Sequence, residues 1–146
     1  MTATYTIHFK RVYDAIDDTD GARVLVDRLW PRGVKKESLK HRDWCKEACP
    51  SNDLRKAYHA EEIDYKTFAE RYFEELSAHP DHLTPLLRYA RQSKLTLLSA
   101  VKNFERSHLP ILKHAILEAL NLEDQQADDN ELSSAVCFGK DFNYWG

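Results

Sequence analysis

At 146 residues, 42% apolar and 31% charged, the chain has the size and composition of one globular domain with a full hydrophobic core, which excludes collagen-like, coiled-coil and wholly disordered classes. Its 21 basic and 24 acidic residues leave a net charge of −3, against the general positive excess of a dedicated duplex-binding domain. The cysteines Cys45, Cys49 and Cys137 match neither a disulfide framework nor a zinc-binding spacing.

From the N-terminus, alternating apolar positions in Ile7-His8-Phe9-Lys10-Arg11-Val12-Tyr13 predict a half-buried strand, ended by the turn-rich Asp17-Asp18-Thr19-Asp20-Gly21. The β-branched run from Arg23 to Trp30 predicts a buried strand that opens into a loop at Pro31-Arg32-Gly33. Two short helices are expected between about 42 and 60, divided by Pro50, with Ser51 capping the second. After the N-cap Asp64, Tyr65, Phe68, Tyr72 and Leu76 recur at helical spacing until His79-Pro80 stops the run. Leu83, Leu86, Leu87 and Ala90 predict another helix, and 95–101 a second buried strand. Pro110 suits the first turn of a last helix striped by Leu109, Leu112, Ile116 and Leu120.

Strands separated by helical crossovers give a single α/β domain over 1–121, a small mostly parallel sheet layered with helices. Residues 122–135 are acidic and aperiodic, which reads as a mobile linker. The aromatic end, 136–146, is expected to dock on its own domain or on a twin subunit, making a homo-oligomer. Without an 18-residue apolar run or the apolar core of a secretory signal, a cytoplasmic protein without a membrane partner is expected.

Charge is distributed unevenly. Residues 23–46 carry eight basic against three acidic side chains, and 121–146 carry one against six. Within the basic stretch, Asp27-Arg28-Leu29-Trp30-Pro31-Arg32-Gly33 stands where a strand leaves the sheet, and parallel sheets bind ligands beyond their carboxyl ends. Arg28 and Arg32 could grip a phosphate or carboxylate while Trp30 offers a stacking face. A structural reading of the same residues pairs Asp27 with Arg28, buries Trp30 and leaves Arg32 solvated. His59, beside Glu61 and Glu62, is a candidate general acid or base, with a surface histidine as its alternative. No metal is expected from local spacing: His79 and His82 straddle Pro80, and His108 and His114 fall on different helix faces. A site assembled from Asp27 with His59 or His108 is the alternative. Cys45 and Cys49 lack a neighbouring base and read as inert.

Several stretches resemble the YeaO-like bacterial proteins, the family called domain of unknown function 488. They are Lys10-Arg11-Val12-Tyr13-Asp14; Asp20-Gly21 followed by Arg23-Val24-Leu25-Val26-Asp27-Arg28-Leu29-Trp30-Pro31-Arg32-Gly33; Trp44 with Lys46; Pro50-Ser51 with Leu54-Arg55; His59; Phe68; Tyr72 with Glu75-Leu76; and Thr96-Leu97-Leu98. The resemblance covers about residues 10–120. It implies that Asp27, Arg28, Trp30, Arg32, Arg55 and His59 belong to the family pattern, without assigning their roles. After the last strand this chain departs: Ser99 replaces a tyrosine and Ser107-His108-Leu109 an asparagine-led step, although Lys102 and His108 are kept.

The expectation is a small anionic ligand, a nucleotide among the candidates, bound by Arg28, Trp30, Arg32, Arg55 and Lys102. Any catalysis would use His59 or His108 as proton carrier and Asp27 to orient it. No cofactor is expected, because Walker and dinucleotide glycine patterns are absent, and no reaction class is named. The alternatives are a non-catalytic nucleic-acid accessory protein using the 23–46 patch and a protein-interaction module.

Overall fold

The computed structural model describes residues 5–136. Four strands, β1 (Ile7–Arg11), β2 (Ala22–Leu25), β3 (Asp43–Trp44) and β4 (Leu95–Ser99), form one sheet in the order β1-β4-β2-β3, parallel at every pairing. Around it lie α1 (Lys36–Leu39), α2 (Asn52–His59), α3 (Tyr65–Ala78), α4 (Thr84–Gln92) and α5 (Leu109–Val136). The α/β expectation holds, and the sheet is wholly parallel among the described residues.

β4 is central and completely buried, which explains why Leu95-Thr96-Leu97-Leu98 reads as a continuous run instead of an alternating one. Leu95 and Leu97 join Val24 and Val26 in the main core, under Phe68, Tyr72 and Leu76 of α3 and Leu112, Ile116 and Leu120 of α5. Leu98 and Leu25 face the other way, into a smaller cluster closed by Val12, Leu39, Trp30 and Trp44. On that face the Arg23 guanidinium is buried, paired with Asp20 and donating to the Leu39 carbonyl, so one charge counted in the basic stretch is internal.

The caps fall where the side chains allow. Ser51 Oγ accepts from the Leu54 amide, and Asp64 accepts from the Thr67 amide, satisfying donors that the first helical turn leaves open. The helix expected before Pro50 is instead β3 followed by the 3₁₀ turn Lys46–Ala48. Cys45 gives its amide to Leu25, extending the ladder, and Pro50 leaves too few residues for an α-helical turn beyond it.

A second difference lies at the far end. α5 does not stop near Asn121 but runs through the stretch read as a linker, to Val136. Nothing in 122–136 is a glycine or proline, so no residue ends the helix. Arg91 of α4 fastens it by ion pairs to Glu123 at 2.8 Å and Asp124 at 2.9 Å, and the Tyr5 hydroxyl donates to Asp124. The expected docking of the aromatic end concerns residues 137–146, outside the described ones. No described helix is long and apolar enough to cross a membrane.

Candidate functional site

At the carboxyl ends of β2 and β4 the chain opens into a cleft of about 560 Å³. Parallel strands end here together, so the segments after β2, before α2 and after β4 converge on one hollow. All eight residues singled out in the sequence line it: Asp27, Arg28, Trp30, Arg32, Arg55, His59, Lys102 and His108. Their surroundings differ.

Asp27 is a brace. One carboxylate oxygen accepts from the Ser99 hydroxyl and the other from the Ala100 amide at 2.7 Å, tying the end of β2 to the end of β4. Its backbone carbonyl takes the Trp44 indole N–H. His108 is buried at 7% exposure, with Nε2 donating to the Val26 carbonyl and lying 3.8 Å from Asp27. Burial holds its pKa below the ordinary histidine value, opposed by the Val26 carbonyl and the Asp27 charge. It is a neutral donor at pH 7.

The two arginines of the loop play unequal parts. Arg28 gives Nη2 to the Cys49 carbonyl at 2.8 Å and Nε to the Pro50 carbonyl at 3.2 Å, so most of its fork holds the loop before α2. The local pairing of Asp27 with Arg28 does not form. Arg32 is exposed, and its guanidinium has no hydrogen-bond partner among the described residues. The loop itself is held by Tyr13, whose hydroxyl donates to the Arg32 carbonyl. Trp30 gives its indole N–H to Val34 and packs edge-on against Trp44 and His41, each at 5.3 Å between ring centres. It therefore anchors the loop as well as walling the cleft.

From the opposite side come α2 and the loop after β4. Arg55 is half-buried, with Nη2 3.4 Å from Asn52 and a buried Nε that has no partner. His59, at the end of α2, and Lys102 are exposed on the rim. Sequence reasoning missed Arg106, whose guanidinium lies over the Tyr65 ring, and Tyr58, which stacks on Phe68 at 4.4 Å and donates to the Arg106 carbonyl. The signal for Arg106 was available: the strand-end rule that selected the loop after β2 applies equally to the loop after β4.

Five cationic side chains, Arg28, Arg32, Arg55, Lys102 and Arg106, thus border a hollow whose one carboxylate, Asp27, is already engaged. Cys49 also lines it, but burial raises its thiol well above the usual range, and burial with the nearby Asp43 charge lifts Cys45 to about 12. Neither thiol is a nucleophile at neutral pH. Asp27, His59 and His108 do not form a trio with converging ligand atoms. His79, Asp81 and His82 do, with their ligand atoms all within 4.8 Å of one another. This corrects the expectation that Pro80 separates the two histidines: it starts the 3₁₀ turn Pro80–Leu83, which brings them together.

A family model described as the inactive DUF488-N3 subclade matches residues 6–139. Over 106 residues the chain is 48% identical to the Escherichia coli protein called Uncharacterized protein YeaO, spanning 73% of this chain and 92% of that one. The chain belongs to the YeaO-like DUF488 family. Within that family it is also 40% identical over 112 residues to uncharacterized proteins of Mycobacterium bovis and Mycobacterium tuberculosis, covering 77% of this chain and 94% of each. No solved structure matches the chain.

Proposed function

We propose that this YeaO-like protein binds a small phosphate- or carboxylate-bearing anion, nucleotides included, and holds it without transforming it. The observation that carries the reading is the convergence of five cations from separate segments on one recess with a single, internally bonded carboxylate. A phosphate or carboxylate entering there meets guanidinium donors that suit it, and Tyr58 and Trp30 give an attached ring or apolar body a wall.

Binding without turnover is supported by what surrounds the would-be acid–base groups. Both Asp27 oxygens are occupied, His108 already donates to Val26, and His59 has no carboxylate partner among the described residues. The subclade's description as inactive points the same way. The nucleic-acid alternative has less support, because Arg23 is internal, and Arg42 and Lys46 lie over the rings of Tyr89 and Trp44 and do not line the cleft.

Thermal unfolding in the presence of inorganic phosphate, nucleoside monophosphates, small carboxylates and a single-stranded oligonucleotide tests the reading. A ligand at 100 times its dissociation constant stabilises the fold by about 2.7 kcal/mol, a rise of several degrees. Arg32→Ala and Arg55→Ala should each cut that rise by about half or more while leaving the unliganded midpoint nearly unchanged. Arg28→Ala should destabilise the unliganded fold by roughly 2 kcal/mol and so lower its midpoint, because two backbone carbonyls lose a charged donor. A panel in which no anion moves the midpoint would reject the proposal.

A further inference from the structure

We propose that His79, Asp81 and His82 form a surface site for a divalent transition-metal ion of the Zn²⁺ class, at the junction between α3 and α4 and independent of the cleft. The geometry comes from one turn of 3₁₀ helix. Residues i and i+3 eclipse in such a helix, and the amide of His82 donates to the carbonyl of His79 at 3.0 Å, which fixes the two positions one above the other. Their rings accordingly lie parallel, 4.8 Å apart between centres and inclined by 16°. Pro80 occupies the first position of the turn, where its missing amide N–H goes unused, and it stiffens the link between the histidines.

The donor set is chemically coherent. Asp81 Oδ2 lies 4.0 Å from His82 Nε2, and all three ligand atoms are within 4.8 Å of one another, with no other such trio among the described residues. Tetrahedral bonds of about 2.0–2.1 Å require ligand atoms roughly 3.3 Å apart, so the trio must close by up to about 1.5 Å. His79 and Asp81 are exposed, Asp81 by 81%, and rotation of exposed side chains meets little resistance. Neither imidazole has a hydrogen bond to another described group that metal binding would have to break. Two imidazoles and a carboxylate favour Zn²⁺, Ni²⁺ or Cu²⁺ over Mg²⁺ or Ca²⁺. Three protein ligands leave a fourth position for water or for a donor from another molecule.

The ion would clip the end of α3 to the start of α4, so its binding should stabilise the fold by mass action. The full chain is titrated with Zn²⁺ against a chromophoric chelator, and imidazole resonances are followed in parallel by NMR. One equivalent is expected to move the His79 and His82 resonances, while Mg²⁺ leaves them in place. His79→Gln and His82→Gln should each weaken binding by more than the ~10-fold lost when even a ligand's supporting partner is removed. His114→Gln, which removes the histidine paired with Glu118 on α5, should change it less than about twofold. Unchanged affinity in the His79→Gln/His82→Gln double variant overturns the proposal. So does Zn²⁺ that shifts other imidazoles of the wild-type chain while these two stay still, a readout that requires no variant to fold.

Discussion

In the wall of the cleft, the buried imidazole of His108 sits with Nε2 on the Val26 carbonyl and Asp27 3.8 Å away. Burial disfavours its cation, so the folded chain takes up this proton less readily than the unfolded chain, whose histidine titrates near 6.5. Above that pH both states are neutral and His108 adds no pH dependence. As pH falls through about 6.5 the unfolded state gains a proton that the folded state refuses, and stability declines until the lowered folded pKa is reached. Urea unfolding between pH 7.5 and 5 should therefore show a loss that is smaller in His108→Gln, by at most about 1.4 kcal/mol per pH unit. Identical slopes in the two proteins would mean that His108 takes up its proton as readily inside the fold as in the unfolded chain. The residue types of this corner were legible in the sequence, but their division of labour was not. Arg28 and Arg32 look equivalent in Asp27-Arg28-Leu29-Trp30-Pro31-Arg32-Gly33; only the return of Cys49 and Pro50, over 20 residues later, makes one a scaffold and leaves the other in solvent. Likewise, Asp27 reads in the sequence as a candidate orienting acid, whereas in the fold each of its oxygens accepts a hydrogen bond from the end of β4.

Among the elements, the entry to β2 depends on Gly21. Its φ of +67° and ψ of −132° lie where side-chain-bearing residues are strained, and a Cβ there would run into the Lys94 carbonyl, the same oxygen that accepts from Ala22. Gly33 also has positive φ, at +79°, but a Cβ would meet nothing within 4 Å. Gly21→Ala should thus cost roughly 3 kcal/mol or more, through strain and displacement of the β2–β4 approach. Gly33→Ala should cost only about 1–2 kcal/mol for its backbone conformation. Equal unfolding midpoints for the two variants would contradict this account. The strands and helices that carry the core announced themselves through the leucine-rich run of β4 and the spacing of Phe68, Tyr72 and Leu76 in α3. β3 did not, because two residues carry no period and its ladder is imposed by β2. The continuation of α5 past Leu120 was hidden for another reason: residues 121–127 lie outside the core, so the apolar stripe ends there although the helical backbone continues. What fastens it is the pairing of Arg91 with Glu123 and Asp124, a contact between distant parts of the chain.

Over the whole molecule, the small net charge conceals a separation that α5 creates. The helix starts at Leu109, next to the cleft residue His108, and its 28 residues extend about 42 Å. Apart from Glu118, the acidic residues of α5 begin at Glu123, about 22 Å of helical rise from the cleft, and continue farther along. Five cleft cations and the acidic half of one helix are thus held apart by more than the ~10 Å screening length at 0.1 M salt. An anion at the strand ends should feel the guanidiniums and hardly feel the acidic helix. Phosphate or nucleotide titrations at 0.1 M salt should then show Glu123→Gln changing the dissociation constant less than about twofold, whereas Arg55→Ala raises it by roughly tenfold or more. At 0.01 M salt, where screening extends to about 30 Å, Glu123→Gln should tighten binding measurably. An effect of Glu123→Gln at 0.1 M as large as that of Arg55→Ala would place the anion near the acidic helix and away from the strand ends, because a distant charge cannot act that strongly through screened water.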